Sequence, residues 1–440
     1  MKKYIITLTF LLSGLLSIAQ DISGNWGGHI TLPNEKKIQF IFNIEENQGN
    51  YKTVVDIRTQ RVNNITAMKT TLKNDSLIVD FSNVGMKYFG KLNVSLSEIN
   101  GKVVEGINAF PLTLSRKSIE KSSGKARPQE PKKPYPYLAE PVSFQNKDDG
   151  ITLAGTFTRP KAKGKYPVAI LISGSGPQDR DETLSGHKPF LVLADHLTRK
   201  GIAVLRYDDR GFGESTGVHS EATTYDFATD AISALEYLKT RKDVDKRNIG
   251  IIGHSEGGII APLVANRTKE VDFFVSLAGT GISGTELSVM QSKEMRPFPV
   301  PDEAAYEKAI RTAIKIAQQD KDVFEIKTEL TEDYNTTIAP ILKNLGVAET
   351  KIKEVVTGLV DMRTTKWIRY FYGYNPATEY EKVSCPVLSL NGNLDTQVEA
   401  KINQDGLCDA LTKGNNNDFK IIELEGINHV FQNAKNRENG

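Results

Sequence analysis

Six short runs of almost uninterrupted apolar residues, separated by stretches with helical periodicity, constrain the fold of this 440-residue chain more than any other feature. They are Val168 to Ile172, Ile202 to Leu205, Ile249 to Ile252, Phe273 to Leu277, Val387 to Leu390 and Phe419 to Leu424. Between them Phe190, Leu193, Ala194 and Leu197, and then Phe227, Ala231, Ala234, Leu235 and Leu238, recur at helical spacing. Strands that are apolar on both faces and alternate with helices predict a parallel sheet covered on both sides. Ligands of such folds bind beyond the C-terminal ends of the strands.

One insertion interrupts the alternation. From about residue 282 to 378, Tyr306, Ala309, Ile310, Ala313, Ile314 and Ala317 line one helical face, and Ile352, Val355, Val356 and Leu359 another. A helical segment at that point predicts a cap over the strand ends. Its aromatic run, Trp367, Tyr370, Phe371, Tyr372 and Tyr374, suits either the packing of the cap or an acyl or alcohol pocket.

The chain ahead of residue 141 is of another kind. Residues 1–19 carry Lys2-Lys3, an apolar run from Tyr4 to Leu16 and the small-residue site Ser17-Ile18-Ala19, the pattern of a secretory signal peptide. The mature protein is then expected in the periplasm or outside the cell, where Cys385 and Cys408 are either joined or left as buried thiols. Within 20–117, Ile38, Phe40, Phe42 and Ile44, then Tyr51, Thr53, Val55 and Ile57, then Leu77, Val79 and Phe81, then Leu92, Val94 and Leu96 alternate with period two. This predicts a small antiparallel barrel or sandwich, with Asn100-Gly101 closing a tight hairpin. Residues 118–140 hold Pro128, Pro131, Pro134 and Pro136 among lysines and read as a semi-stiff linker. A catalytic domain would occupy 141–440. A net charge of +2 provides no basic excess for nucleic acid or acidic lipid, and no apolar segment beyond the leader is long enough to span a bilayer.

Ser255 sits in Gly253-His254-Ser255-Glu256-Gly257, directly after Ile249-Gly250-Ile251-Ile252 and before the helix-like stretch Gly258 to Ala265. A strand turning sharply into a helix through small residues presents a serine hydroxyl from a strained backbone. Gly213-Glu214-Ser215-Thr216-Gly217 fits the same pattern but follows the polar stretch Asp208 to Phe212 and precedes no helix, so Ser215 reads as a loop serine. A hydroxyl is a poor nucleophile at neutral pH; it needs a base, and the base needs a carboxylate to orient it. Of the six histidines, His29 belongs to the barrel, His187, His196 and His219 precede the serine, and His254 would have to point away from its neighbour. His429 follows the last apolar strand, and Asp395, in Asn391-Gly392-Asn393-Leu394-Asp395, follows the one before it, whereas Asp361 falls in the cap. The order Ser255, Asp395, His429 is that of an α/β-hydrolase. Oxyanion N–H groups would come from Glu256 and from Ser173-Gly174-Ser175-Gly176-Pro177, with Ser175 first and Gly176 next because Pro177 has no N–H. This chemistry calls for no metal and no cofactor.

From Glu140 onward the chain resembles bacterial serine esterases of the α/β-hydrolase superfamily, of a two-domain type with a β-rich N-terminal domain. The resemblance rests on Gly174-Ser175-Gly176-Pro177-Gln178-Asp179-Arg180-Asp181, on Arg206 to Ser215, on the serine elbow and on the Asp395 and His429 loops. It implies hydrolysis of small carboxylic esters with short acyl chains. Such hydrolases usually carry a long helix after the histidine, whereas this sequence ends in the polar Lys435 to Gly440, so the C-terminus looks truncated. Two other readings stay open: a peptidase or aminopeptidase of the same fold, and a secreted ligand-binding protein with an inert hydrolase domain. A dinucleotide enzyme is set aside because Gly211-Phe212-Gly213 lacks the third glycine and follows no phosphate turn.

Overall fold

The computed structural model describes residues 21–436 apart from 32–36, 48, 58–61, 106–107, 117–126, 185–186 and 297. The leader expected at 1–19 and much of the expected linker lie outside the described residues. In the first unit the alternating pattern forms β1 (Gly24–Thr31), β2 (Lys37–Asn47), β3 (Asn50–Ile57), β4 (Val62–Thr66), β5 (Lys69–Lys73), β6 (Ser76–Phe81), β7 (Met86–Leu92), β8 (Glu98–Glu105) and β9 (Asn108–Ser115). The order β2-β1-β9-β8-β7-β6-β5-β3 returns from β3 to β2, so eight antiparallel strands close a barrel, and β4 pairs with β3 outside the ring. Alternate side chains fill its interior: Trp26, Phe42, Ile44, Val55, Val79, Phe81 and Tyr88 are fully buried there. Closure also removes the edge strands through which a sheet would pair with other chains.

Asn100-Gly101 does not close a hairpin. Both residues lie inside β8, opposite Lys91 and Gly90 of β7. The turn falls earlier, at Asn93 to Ser97, where the Asn93 side chain accepts from the Ser97 and Glu98 amides and Leu96 has φ 54°, so the strand expected through Leu92, Val94 and Leu96 ends at Leu92 and Val94 is exposed. Gly101 is required for space: a Cβ there would lie 2.2 Å from the Phe89 carbonyl and 2.6 Å from the Tyr88 hydroxyl.

The second unit carries β10 (Leu138–Asn146), β11 (Ile151–Arg159), β12 (Tyr166–Ile172), β13 (Ala203–Tyr207), β14 (Val244–His254), β15 (Phe273–Leu277), β16 (Val387–Gly392) and β17 (Phe419–Leu424). Their order is β10-β11-β13-β12-β14-β15-β16-β17, antiparallel through β10, β11 and β13 and parallel from β13 onward. β10 starts at Leu138, inside the stretch read as linker. Successive residues of a strand face opposite sides. Ala169 and Leu171 of β12 therefore pack with Phe190 and Ala194 of α1 (Pro189–Arg199), while Val168, Ile170 and Ile172 pack with α2 (Thr224–Thr240) and α3 (Glu256–Thr268).

The insertion is helical from Gly284–Glu294 to Ala377–Tyr380 and has its own apolar cluster around Ile310, Ile314, Leu330, Tyr334 and Val356. Its aromatic run mostly packs. Phe371 is buried, the Tyr374 hydroxyl donates to the Ile259 carbonyl, and the Tyr372 hydroxyl accepts from the buried Arg363. Phe212, from the loop after β13, is buried in the barrel's apolar cluster and so joins the two units. Cys385 and Cys408 are free thiols, and burial pushes Cys385 up to about 11. Among the described residues, no helix is long and apolar enough to cross a membrane and no side-chain cluster suits a metal ion.

Candidate active site

β14 ends at His254 and α3 begins at Glu256, leaving Ser255 between them with φ 51° and ψ −113°. That backbone is costly for a residue with a Cβ and persists only where the surroundings impose it. Here the Ser255 amide donates to the Leu277 carbonyl at 2.8 Å and the Gly258 amide to the Ser255 carbonyl at 2.9 Å. The flanking glycines answer to crowding, since a Cβ on Gly253 would lie 2.0 Å from the Gly257 carbonyl and one on Gly257 2.2 Å from that of Ile172.

Asp395 and His429 meet beyond the ends of β16 and β17. Nδ1 of His429 is 2.7 Å from Oδ2 of Asp395, and both side chains are buried. The other carboxylate oxygen accepts the Gln397 and Val398 amides, each at 2.8 Å, which fixes its orientation. With Nδ1 donating to Asp395, Nε2 is the ring nitrogen left to exchange a proton.

The oxyanion candidates are arranged around the same turn. The Glu256 amide opens α3, where a helix leaves its first N–H groups unpaired. Gly174 lies against the elbow, since a Cβ there would be 3.2 Å from that of Ser255, but its own amide already donates to Oε1 of Glu182 at 2.9 Å. Ser175 is exposed and Gly176 has φ 87°. Asp209 braces this loop from beneath, accepting from the Ser173 hydroxyl at 2.7 Å and the Gln178 amide at 2.9 Å. Burial holds the Asp209 carboxyl far above the usual range. The loop serine Ser215 donates to the Asp208 carbonyl at 2.7 Å and is buried.

The side chain of Glu256 ties the elbow to the insertion. Its Oε1 accepts from the Thr224 hydroxyl at 2.6 Å and from the Trp367 indole at 2.7 Å. Burial pushes this carboxyl up to about 7, against the opposing pull of those two hydrogen bonds.

Glu182 was not singled out by sequence reasoning; it directly follows the motif that ends at Asp181. The structure buries it, with φ 52°, 2.7 Å from Nδ1 of His254. A cavity of about 710 Å³ whose wall includes Glu182, His187, His254 and Phe431 lies behind the elbow rather than at Ser255.

Residues 188–314, which run from α1 through the elbow and α3, match the family model described as serine aminopeptidase, S33. Together with the sheet order and the strained serine between β14 and α3, this decides the fold. The second unit has the α/β-hydrolase fold. The chain is similar to esterase EstD of Thermotoga maritima, 29% identical over 300 residues, or 67% of this chain and 62% of that protein. The chain thus spans less than two thirds of that relative's length. It is also similar to an uncharacterised 31.7 kDa protein of Escherichia coli, 26% identical over 272 residues, or 60% of this chain and 84% of that one. Among solved structures, an esterase of Pyrococcus furiosus shares 16% identity at a TM-score of 0.44, covering 67% of this chain and 84% of that chain. Est1E of Butyrivibrio proteoclasticus, solved with ferulic acid bound, shares 17% at a TM-score of 0.42, covering 66% and 92%.

Proposed function

We propose that the chain is a secreted serine esterase that hydrolyses small carboxylic esters with short acyl chains through an acyl-enzyme on Ser255. The reading rests on one observation above the others: the 2.7 Å contact of His429 with Asp395 at the sheet edge that also carries the strained Ser255. His429 takes the proton of the Ser255 hydroxyl as Oγ attacks the ester carbonyl, and the resulting oxyanion lies against the Glu256 and Ser175 amides, with Gly176 the alternative donor. As the tetrahedral intermediate collapses, His429 returns the proton to the departing alcohol. Water, deprotonated by the same imidazole, then releases the acid and restores Ser255. Asp395 keeps Nε2 facing the reaction and stabilises the imidazolium.

A second reading, aminopeptidase action, is favoured by the description of the matching family model. It would require an acidic group for the substrate's ammonium. The carboxylates around Ser255 are engaged internally: Glu182 with Gly174 and His254, Glu256 with Thr224 and Trp367, Asp395 with His429. Steady-state rates on p-nitrophenyl acetate, butyrate and octanoate, set beside aminoacyl p-nitroanilides, separate the two. The esterase reading expects the acetyl and butyryl esters to turn over fastest and Ser255→Ala to lower kcat by up to about 10⁶. Faster anilide turnover would transfer the assignment to the peptidase reading, and unchanged ester turnover in Ser255→Ala would end both.

A further inference from the structure

Behind the proposed triad lies a second histidine–carboxylate pair. Glu182 is 1% exposed and His254 3%, so both side chains are almost wholly buried in the wall of the cavity behind the elbow. Oε1 of Glu182 accepts the Gly174 amide at 2.9 Å and lies 2.7 Å from Nδ1 of His254. Nε2 of His254 lies 2.9 Å from the backbone carbonyl of His429, and the two imidazoles pack with their centroids 4.8 Å apart. A carbonyl can only accept, so Nε2 of His254 donates to that of His429, and Nδ1 shares a hydrogen bond with Oε1 of Glu182. A charge on His254 would lie against the Glu182 carboxyl group. Burial opposes that charge, but the charge and hydrogen bond of Glu182, with the His429 carbonyl, hold its pKa above the ordinary histidine range.

Three loops meet in this one pair. Gly174 opens the oxyanion loop, His254 is the residue before Ser255, and His429 carries the proposed base. We propose that Glu182 and His254 are positioning residues for the ester hydrolysis assigned to Ser255, holding the oxyanion loop, the elbow and the His429 loop in one register. The proposal rests on that assignment. A buried pair that only stabilised the fold would have no need to grip the main chain on both sides of the nucleophile. Breaking it displaces the base and an oxyanion donor together, and a misplacement of about 1 Å can cost on the order of 10²-fold in rate.

The test compares Glu182→Ala, Glu182→Gln, His254→Phe and His254→Gln with wild type on p-nitrophenyl acetate, with active sites counted by fluorophosphonate titration so that rates refer to folded enzyme. Glu182→Ala and His254→Phe are expected to lose about 10²-fold in kcat per titrated site with KM little changed. The fluorophosphonate labelling rate should fall in parallel. Glu182→Gln, which keeps an acceptor for Gly174, and His254→Gln, which keeps a donor for the His429 carbonyl, should recover part of the loss. Wild-type kcat per titrated site in the variants that fold, with only the titrated fraction or the melting temperature reduced, would overturn the proposal and make the pair purely structural. The glutamine variants preserve volume and supply that comparison if the others do not fold. Failure of the underlying reading looks different: wild type itself would then take no label at Ser255.

Discussion

Glu256 offers a sharply defined pH test of how the elbow and the insertion are held together. Its carboxyl is pushed by burial to about 7, against an ordinary value of 4.5, with the Thr224 and Trp367 hydrogen bonds pulling the other way. An acid whose folded pKa lies above its unfolded value binds its proton more tightly in the fold. The stability it contributes is therefore complete below about pH 4.5 and is lost as pH rises through about 7. The gap between those two values corresponds to roughly 3 kcal/mol. The amide side chain introduced by Glu256→Gln keeps an oxygen to accept from Thr224 and Trp367 but cannot ionise. Urea unfolding followed by fluorescence measures the difference, in a Trp26→Phe background so that Trp367, the other of the two tryptophans, reports on the hydrolase unit alone. The two proteins should be close in stability at pH 4.5 and diverge up to pH 8, where Glu256→Gln should be the more stable by roughly 3 kcal/mol. Trp367 emission of the folded wild type should titrate near pH 7 and that of Glu256→Gln should not. Parallel stability curves across this range would refute the placing of Glu256 as a buried acid that ionises only at a cost.

Further outcomes follow from other contacts. Asp395→Asn should leave the fold intact and lower kcat by about 10⁴, because an amide cannot hold His429 with Nε2 free to accept the serine proton; kcat within tenfold of wild type would contradict this. Phe212→Ala removes the side chain that the hydrolase unit buries in the barrel, and should cost about 3–5 kcal/mol at the junction; limited proteolysis should then release the barrel sooner than in wild type. Ser215→Ala should keep full esterase turnover while losing about 1–3 kcal/mol of stability, since the Ala154 amide loses its acceptor; a loss of turnover per folded molecule would show that the decoy serine matters to the chemistry.

How much of this could be read beforehand depended on whether the signal was local. The parallel strands announced themselves because β12, β14 and β15 are covered by helices, so each run is almost uninterruptedly apolar. The elbow was legible because Gly253 and Gly257 are imposed by crowding against the Gly257 and Ile172 carbonyls, which leaves a fixed spacing in the chain. Gly101 misled for the same reason: its glycine also answers to crowding, against Phe89 and Tyr88 of the neighbouring strand, and mimics a turn signal. Closure of the barrel depends on the β2–β3 and β3–β5 pairings, and the latter is a single residue pair, Tyr51 with Thr70, that no periodicity encodes. Glu182 was hidden most completely. Its neighbours are charged, and only the fold of the oxyanion loop turns it inward onto His254, a contact between residues 72 positions apart.

The central claim is that Ser255, and not Ser215, is the nucleophile. Treating the protein with a fluorophosphonate and mapping the adduct by peptide mass spectrometry tests it most directly. One adduct is expected, on the peptide containing Ser255, absent from Ser255→Ala and strongly slowed in a His429→Ala variant. An unlabelled Ser255 in folded protein, or labelling that persists elsewhere at the same rate in Ser255→Ala, would contradict it.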